Sequence, residues 1–461
     1  MPPVDSAPVA PRPTSPPTQQ TRLGISPRQI LLPLALAQFI CSFAGSNMNV
    51  MITDISTDLD TTVAGVQTAI TLFLLIMAIF MIPGSKLTDR WGRKRCFIGG
   101  LALYGVGALV SAVSPGLGVL ILGNSVFEGV GTALLIPPVY ILATIAFTDL
   151  TSRAKAFGVI TGAGGIGAAA GPLIGGIITT GISWRAAFVF QALVVAAIIL
   201  LSRRMVDPLP PDPTRRFDAV GAVLSAVGMF FLVFGILQAD NDVALAAALM
   251  AVGAAFLVGF LLYIRSQERA GKEPLLSTGL FRSRASNLGL VTQNMQWLLL
   301  MGVSFTVATY LQVVRGYNAI ETGVIFTAAT LGILVSSLAA ERLAKRYAQR
   351  TLIVVGFVVT VAGIGLLIGL VYASDRIVAF VPGLALIGLG LGVMLTPSVN
   401  LVQSSFPEEL QGEISGLSRS VSNLGSSFGT AIAGTIPGST RCARGPRSRP
   451  GAPRGSWTAR R

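Results

Sequence analysis

The 461-residue sequence lacks histidine altogether and contains only three cysteines, Cys41, Cys96 and Cys442, at distant positions. A chain without histidine cannot build the usual zinc sites or a histidine proton relay. Three scattered cysteines offer neither a disulfide framework nor a metal cluster. The sequence also lacks a GxxxxGKS or GxxxxGKT loop for nucleotide phosphates and any cluster of catalytic groups. We therefore predict no metal, no cofactor, no ATP-driven mechanism and no enzyme activity.

Charged residues are scarce, at 12% of the chain, whereas 52% of the residues are hydrophobic and the mean hydropathy is +0.71. A soluble domain carries about 25% charged residues. Apolar runs that are long enough to cross a bilayer as helices recur throughout the sequence. They predict an all-α polytopic membrane protein with about thirteen transmembrane helices, at 30–52, 64–83, 97–114, 118–140, 156–180, 186–202, 217–237, 243–264, 286–314, 322–340, 351–373, 377–403 and 414–436.

The placement of basic residues predicts the orientation of the chain. We expect residues 1–28, which include a Pro-rich segment, to be disordered and cytoplasmic, and the first apolar run is too long for a cleavable signal peptide. With this N-terminus inside, the inner loops carry twenty Lys and Arg residues and the outer loops carry three. This bias follows the positive-inside rule. The formal charge of +14 therefore reports topology in the plasma membrane and not a nucleic-acid partner.

Three sequence features occur twice at nearly one offset, which indicates an internal repeat. "LTDRWGRK" at 87–94 resembles "LAKRYAQR" at 343–350, and glycines at 158, 167, 171 and 176 recur 258 residues later. The repeat predicts two parallel six-helix bundles, at 29–203 and 266–436, separated by a linker with two inserted helices at 204–265. In such an architecture the substrate site lies near the membrane midplane, between the bundles.

The stretch "GVITGAGGIGAAAGPLIGG" at 158–176 holds eight glycines and one proline inside an apolar span. Gly164, Gly167, Gly171 and Gly175 follow a step of three or four residues, so they line one helix face where a neighbouring backbone can approach closely. Pro172 crowds the carbonyl group of Ala168 and should bend the helix there. We expect a hinge or seal between the bundles, and ordinary helix packing is the alternative.

These motifs resemble those of the major facilitator superfamily. The match to its fifth-helix antiporter motif consists of Gly158, Gly167, Gly171, Pro172, Gly175 and Gly176. "SKLTDRWGRKR" at 85–95 is similar to its loop between helices two and three, and the inserted pair is similar to the fourteen-helix drug:proton antiporter branch.

The resemblance implies a cytoplasmic gate built from the loop at 85–95. Asp89 would sit against the helix that opens at "GEISGLSRS", while Arg90, Arg93 and Lys94 would hold the gate closed when the protein faces outward. Lys86 and Gly92 complete the motif. The alternative is that the basic residues only fix the orientation of the chain.

Two proton-linked positions of the family are missing, since the first span has no Asp and Asn124 or Ser125 replaces an Arg in the fourth. Glu128 is the one acid deep within a span, where a carboxylate usually faces a cavity or a partner. We predict two polar stripes around a proton-coupling and substrate cavity. The alternative is that Glu128 is neutral and only links helices through hydrogen bonds. Their members are Asn124, Glu128 and Thr132 on the fourth span and Gln38, Ser46 and Asn49 on the first.

The resemblance implies a secondary active transporter, monomeric and membrane-embedded, that couples export of small amphipathic or drug-like molecules to protons by alternating access. Its partners would be the small-molecule substrate, the proton and the lipid bilayer. Two alternatives stay open. One is another transporter of the superfamily, such as a metabolite exporter, importer or uniporter. The other is a non-transporting or inactive truncated homologue.

The C-terminal segment 437–461 departs from the family, because it holds seven arginines, no acid and no apolar run. It resembles an out-of-frame reading of a GC-rich gene, or else a genuine disordered tail. In either case the last helix of the second bundle is missing. We expect the chain to be poorly stable and weak or inactive in transport, and an added apolar helix after Ile436 to improve both properties.

Overall fold

A computed structural model describes residues 27–147, 150–203, 205, 207, 217–239, 242–344, 346–374, 376–406 and 410–435. The N-terminal segment up to residue 26 and the tail at 437–461 lie outside the described residues, so the predictions for both stay predictions. Within the described part the chain is helical, with no β-strand.

Fifteen α-helices contain most of the described residues, and π-helical turns at Ile121–Glu128 and Tyr310–Val314 adjoin two of them. The helices are α1 (Pro27–Asn47), α2 (Ile52–Asp58), α3 (Val63–Trp91), α4 (Arg93–Ala112), α5 (Leu117–Leu120), α6 (Gly129–Ala146), α7 (Leu150–Gly181), α8 (Trp184–Ser202), α9 (Ala219–Gln238), α10 (Val243–Arg269), α11 (Arg284–Thr309), α12 (Ala319–Ala344), α13 (Gln349–Ala373), α14 (Phe380–Gln403) and α15 (Gln411–Thr435).

Eleven helical segments of the described chain are long and apolar enough to cross a membrane. A twelfth is α7, whose halves Gly158–Ala168 and Ala170–Gly181 meet at 40°. The thirteenth predicted span coincides with α15, which has sufficient length for a span but carries six serines and threonines between 418 and 430. The prediction of an all-α polytopic membrane protein is confirmed.

The helices pack as two groups, and an inserted pair lies beside them. In the first group α1 packs along α7, and α4 lies against α6 and α8. In the second group α14 packs between α12 and α13, while α11 lies along α15. The inserted helices α9 and α10 pack mainly on each other, and α9 touches α3 and α15. The two groups meet where α3 packs on α15 and where α7 packs on α12.

The predicted sequence repeat is visible in the packing of the glycines. A methyl group added at Gly167 would overlap the carbonyl oxygen of Phe39 on α1, and one added at Gly425 would overlap that of Asn294 on α11. Glycines 176 and 434, which are also 258 residues apart, contact α12 and α3, each in the opposite group. The two copies of the motif therefore occupy equivalent places in the two groups.

Candidate functional site

The acid singled out by the sequence lies at a wide helical turn inside the first group. Glu128 ends the π-helical segment Ile121–Glu128 and has no exposed surface. It is the one Asp or Glu side chain that is buried in the described part of the chain. Isolated π-helical turns are frequent at functional sites. The acid therefore occupies a local irregularity of the kind that proteins retain for function.

Few groups contact the carboxyl of Glu128. Asn124 Nδ2 donates to Glu128 Oε2 at 3.5 Å, and α4 brings Tyr104 and Ser111 to the same carboxyl. Tyr104 also donates a hydrogen bond to Gln191 on α8. Glu128 Oε1 has no hydrogen-bond partner among the described residues. Within the described chain no cation pairs with this carboxyl, so the surrounding packing offers little compensation for a negative charge, and an uncompensated buried carboxylate is costly.

The members of the two predicted polar stripes make the contacts described next, and the predicted cavity between the stripes stays a prediction. Asn124, Glu128 and Thr132 are all buried within the first group, where Thr132 lies beside Cys41 of α1. On α1, the Ser46 hydroxyl donates to carbonyl groups of its own helix. The remaining two, Gln38 and Asn49, take part in separate contacts that reach towards the second group.

Gln38 belongs to a chain of contacts that joins the two groups of helices. The Tyr140 hydroxyl donates to Gln38 Oε1 at 3.2 Å and accepts a hydrogen bond from Arg419 on α15. The Arg419 guanidinium also lies 4.9 Å from the centre of the Tyr140 ring, in cation–π geometry. Sequence reasoning missed Arg419 and Tyr140. The available signal was a single arginine in the polar span 414–436, since charges within spans usually face a partner or a cavity.

A second contact between the groups lies at the end of the molecule that holds the basic loops, called the basic end below. Lys86 Nζ lies 2.6 Å from Glu413 Oε1, and the Ser85 hydroxyl donates to the carbonyl oxygen of Gly412 at 3.0 Å. Glu413 Oε2 also accepts from the backbone N–H of Ser277 at 2.9 Å. The start of α15 is therefore held against the end of α3.

The other residues of the predicted gate motif lie where α3 ends and α4 begins. Gly92 separates α3 from α4 with a φ of 94°, a conformation that favours glycine. The Lys94 side chain donates to the Arg203 carbonyl oxygen at 3.0 Å, and Arg90 is exposed. Arg93 begins α4. The side chain of Asp89 lies outside the described residues, so its predicted place against α15 stays a prediction.

A third contact joins the groups at the opposite end of the molecule. Gln312 Nε2 donates to the backbone carbonyl oxygen of Asn49 at 2.8 Å, and Gln312 Oε1 accepts from the N–H of Thr53 at 3.2 Å. One amide thus bonds two backbone groups where the first span ends. Asn49, predicted as a cavity residue, contributes its backbone here.

The glycine motif packs mainly within the first group. Gly164, Gly167, Gly171 and Gly175 all face α1, where they contact Gln38, Phe39, Ser46 and Asn47 respectively. Two residues of the motif contact the second group: Gly176 lies against Ala319, and Pro172 lies against Gly323. Gly158 faces open space. The bend of α7 lies between Ala168 and Ala170, one turn before Pro172. The predicted hinge role is not tested by this geometry and stays a prediction.

Comparisons with known proteins agree with this architecture. The sequence family model of the Major Facilitator Superfamily matches residues 34–430 of this chain. The puromycin resistance protein pur8 of Streptomyces alboniger is 30% identical over 415 residues, which cover 88% of this chain and 81% of that protein. The multidrug efflux pump LfrA of Mycolicibacterium smegmatis is 30% identical, covering 79% and 72%. The tetracenomycin C resistance and export protein of Streptomyces glaucescens is 29% identical, covering 83% and 70%.

Proposed function

The chain belongs to the major facilitator superfamily and is a membrane transporter of the drug-efflux type, and on this premise we propose that protonation of Glu128 drives its export of small molecules. The names of its relatives refer to resistance, efflux and export, which supports an exporter of amphipathic, drug-like compounds. Puromycin and tetracenomycin C appear in the names of two relatives, and neither compound is assigned to this chain as a substrate. The transporter would work as a monomer, would need no cofactor and would carry out no chemical conversion of its substrate.

The observation that carries the coupling proposal is the complete burial of Glu128 beside a single amide donor. A charged carboxylate in this packed setting lacks compensation, whereas a neutral one is tolerated. Proton binding therefore favours the packed arrangement, and proton release favours an arrangement that hydrates the carboxylate. A ligand that binds one of two conformations better shifts their populations, and the proton acts here as that ligand.

Coupling would pass through the helices that contact the acid. Thr132, one helical turn after Glu128, lies beside Cys41 of α1, and α1 packs along the glycine face of α7. The bent helix α7 in turn packs on α12 of the second group. A change at Glu128 thus has a continuous packed route to the surface where the two groups meet.

The test is pH-driven transport of a fluorescent amphipathic compound by the purified chain in proteoliposomes, with Glu128→Gln as the variant. We expect this isosteric change to abolish accumulation driven by a pH difference while substrate exchange without a gradient continues. Glu273→Gln, at an exposed acid, is the matched control. Concentrative uptake by Glu128→Gln equal to that of the parent chain would make Glu128 a structural residue.

We further propose the cell membrane as the location, with the N-terminus and the turn at 86–95 in the cytoplasm. The excess of basic residues in the loops on that side supports this orientation. The domains would be the bundles 29–203 and 266–436, with the linker 204–265 between them. Side-specific labelling of single cysteines checks the topology, and labelling of position 117 from the cytoplasm would overturn it.

A second candidate is transport of a metabolite on the same fold. The riboflavin transporter RibZ of Clostridioides difficile is 23% identical over 405 residues, covering 87% of this chain and 86% of that protein. The absence of an acid from the first span also favours a transporter that differs in coupling from the drug:proton branch. Metabolite flux in the parent chain that a pH difference does not drive would favour this candidate.

A further inference from the structure

A pocket of about 400 Å³ lies at the basic end of the inserted pair, and Ser277, beside its lining residue Thr278, connects it to Glu413. It is formed where α10 ends and where the short 3₁₀ helix Thr278–Phe281 precedes α11. Its lining consists of Arg265, Glu268, Arg269, Thr278, Phe281 and Arg282. Three arginines and one acid give the pocket an excess of two positive charges.

The single acid of the pocket is engaged by the polypeptide itself. Glu268 Oε1 accepts from the N–H of Thr278 at 2.5 Å and from the Ser277 hydroxyl at 3.3 Å, and the Thr278 hydroxyl donates to Oε2. Glu268 thus fastens the 3₁₀ helix to α10. Within the described residues none of the three arginines lies within ion-pair distance of a carboxylate. The positive charge of Arg282 acts on Glu268, so Arg265 and Arg269 are the guanidinium groups most available to an external anion.

The surface next to the pocket is suited to the tail of a lipid. Val258, Leu262, Arg265 and Arg269 follow steps of three or four residues, so they share one face of α10. Val258 is 56% exposed and Leu262 is 60% exposed, and both lie on the membrane side of the arginines. One helix face therefore presents apolar side chains at membrane depth and guanidinium groups where the span ends.

We propose that this pocket binds the phosphate group of an anionic lipid, whose acyl chains lie along the apolar face of α10. Guanidinium groups bind phosphate oxygens through paired, charge-assisted hydrogen bonds. Basic pockets beside transmembrane helices, on the side that carries the positive loops, are suited to anionic headgroups. A soluble phosphate offers the same oxygens but gains nothing from Val258 and Leu262. The pocket thus assigns a lipid-binding role to the inserted helices.

The experiment measures binding of phosphatidylglycerol to the purified full chain by native mass spectrometry, alongside phosphatidylcholine and inorganic phosphate. The test variant combines Arg265→Gln, Arg269→Gln and Arg282→Gln, all at exposed side chains. The matched control is Lys272→Gln, an exposed cation of the same connection that does not line the pocket. Melting temperatures measured in phosphatidylcholine alone verify that both variants are folded.

We expect saturable binding of phosphatidylglycerol, a preference over phosphatidylcholine, and affinity that is about tenfold or more weaker in the triple variant, because it loses the charge-assisted bonds. Lys272→Gln should bind like the parent chain. An equal loss of phosphatidylglycerol affinity in Lys272→Gln would show that general surface charge causes the binding, and it would overturn the proposal. Binding of inorganic phosphate as tight as that of the lipid would overturn the lipid assignment. Lipid binding and melting temperature are both measured without transport. A failure of this proposal is therefore distinguishable from a failure of the proposal for Glu128.

Discussion

Lys86 and Glu413, which belong to opposite groups of helices, form an ion pair of 2.6 Å at the basic end of the molecule. Their side chains are 18% and 19% exposed, so the pair is partly shielded from solvent. Glu413 also accepts a hydrogen bond from Ser277, which gives it two partners, whereas Lys86 pairs with Glu413 within the described residues. The contact joins α3 and α15 at this end of the transporter.

Reversing one charge of this pair should open the basic end. We expect Lys86→Glu or Glu413→Lys alone to increase labelling of cysteines between α3 and α15 and to slow transport. The double exchange should recover part of the loss, with a coupling of about 0.5–1 kcal/mol, since partly exposed ion pairs contribute little more. Glu413→Ala should cost more stability than Lys86→Ala, because it also removes the acceptor of the Ser277 N–H. Identical behaviour of the single and double exchanges would show that the pair does not couple the groups.

Removal of the Gln312 amide should loosen the opposite end. Gln312→Leu leaves the carbonyl oxygen of Asn49 and the N–H of Thr53 without this partner, at a cost of about 1–3 kcal/mol. We expect greater reagent access between α1 and α11 from that side, together with a lower melting temperature. The control is Thr306→Val, because the exposed Thr306 hydroxyl bonds only to its own helix. The prediction fails if the reagent reaches the space between α1 and α11 equally in Gln312→Leu and in Thr306→Val.

Two glycines of α7, two positions apart, should respond in opposite ways to the same methyl group. Gly167→Ala would force the carbonyl group of Phe39 away and should destabilise the protein by about 1–3 kcal/mol, as overpacking does. A methyl group added at Gly165 would have no neighbouring atom within 4 Å. Gly165→Ala should therefore leave stability unchanged or raise it by about 0.5–1 kcal/mol. Thermal unfolding in detergent compares the two variants. A stable Gly167→Ala protein would argue against close packing of α1 on α7.

The contact of Arg419 with Tyr140 should matter for transport and not only for folding. Tyr140→Phe keeps the ring under the guanidinium, whereas Tyr140→Leu removes it, so we expect the leucine variant to lose more activity. The difference reflects a cation–π interaction of about 0.5–2 kcal/mol. Transport rates of both variants, each alone and combined with Arg419→Gln, give the coupling. Unchanged rates in Tyr140→Leu with normal folding would make the contact incidental.

Much of the fold could be predicted because hydropathy is a property of the chain itself. Each span must satisfy its backbone within one helix, so the length and spacing of apolar runs specify the spans. The repeat of glycines at an offset of 258 likewise predicted two similar groups, and Gly167 and Gly425 occupy matching positions in the structure. The weak apolar character of α15 shows where hydropathy alone is insufficient, since a polar helix can be enclosed by its neighbours.

The sequence by itself determined the class of protein, the positions of the spans and the presence of one acid within them. Only the tertiary structure decided what these residues contact. It enclosed Glu128 against α4, turned the glycine face of α7 towards α1, and paired Glu413 with Lys86 and Arg419 with Tyr140 across the two groups. The physical reason is that a helical period gives the face of a residue but not the neighbour of that face. That neighbour depends on how helices hundreds of residues apart pack together, and side-chain size and backbone approach decide this packing in a membrane.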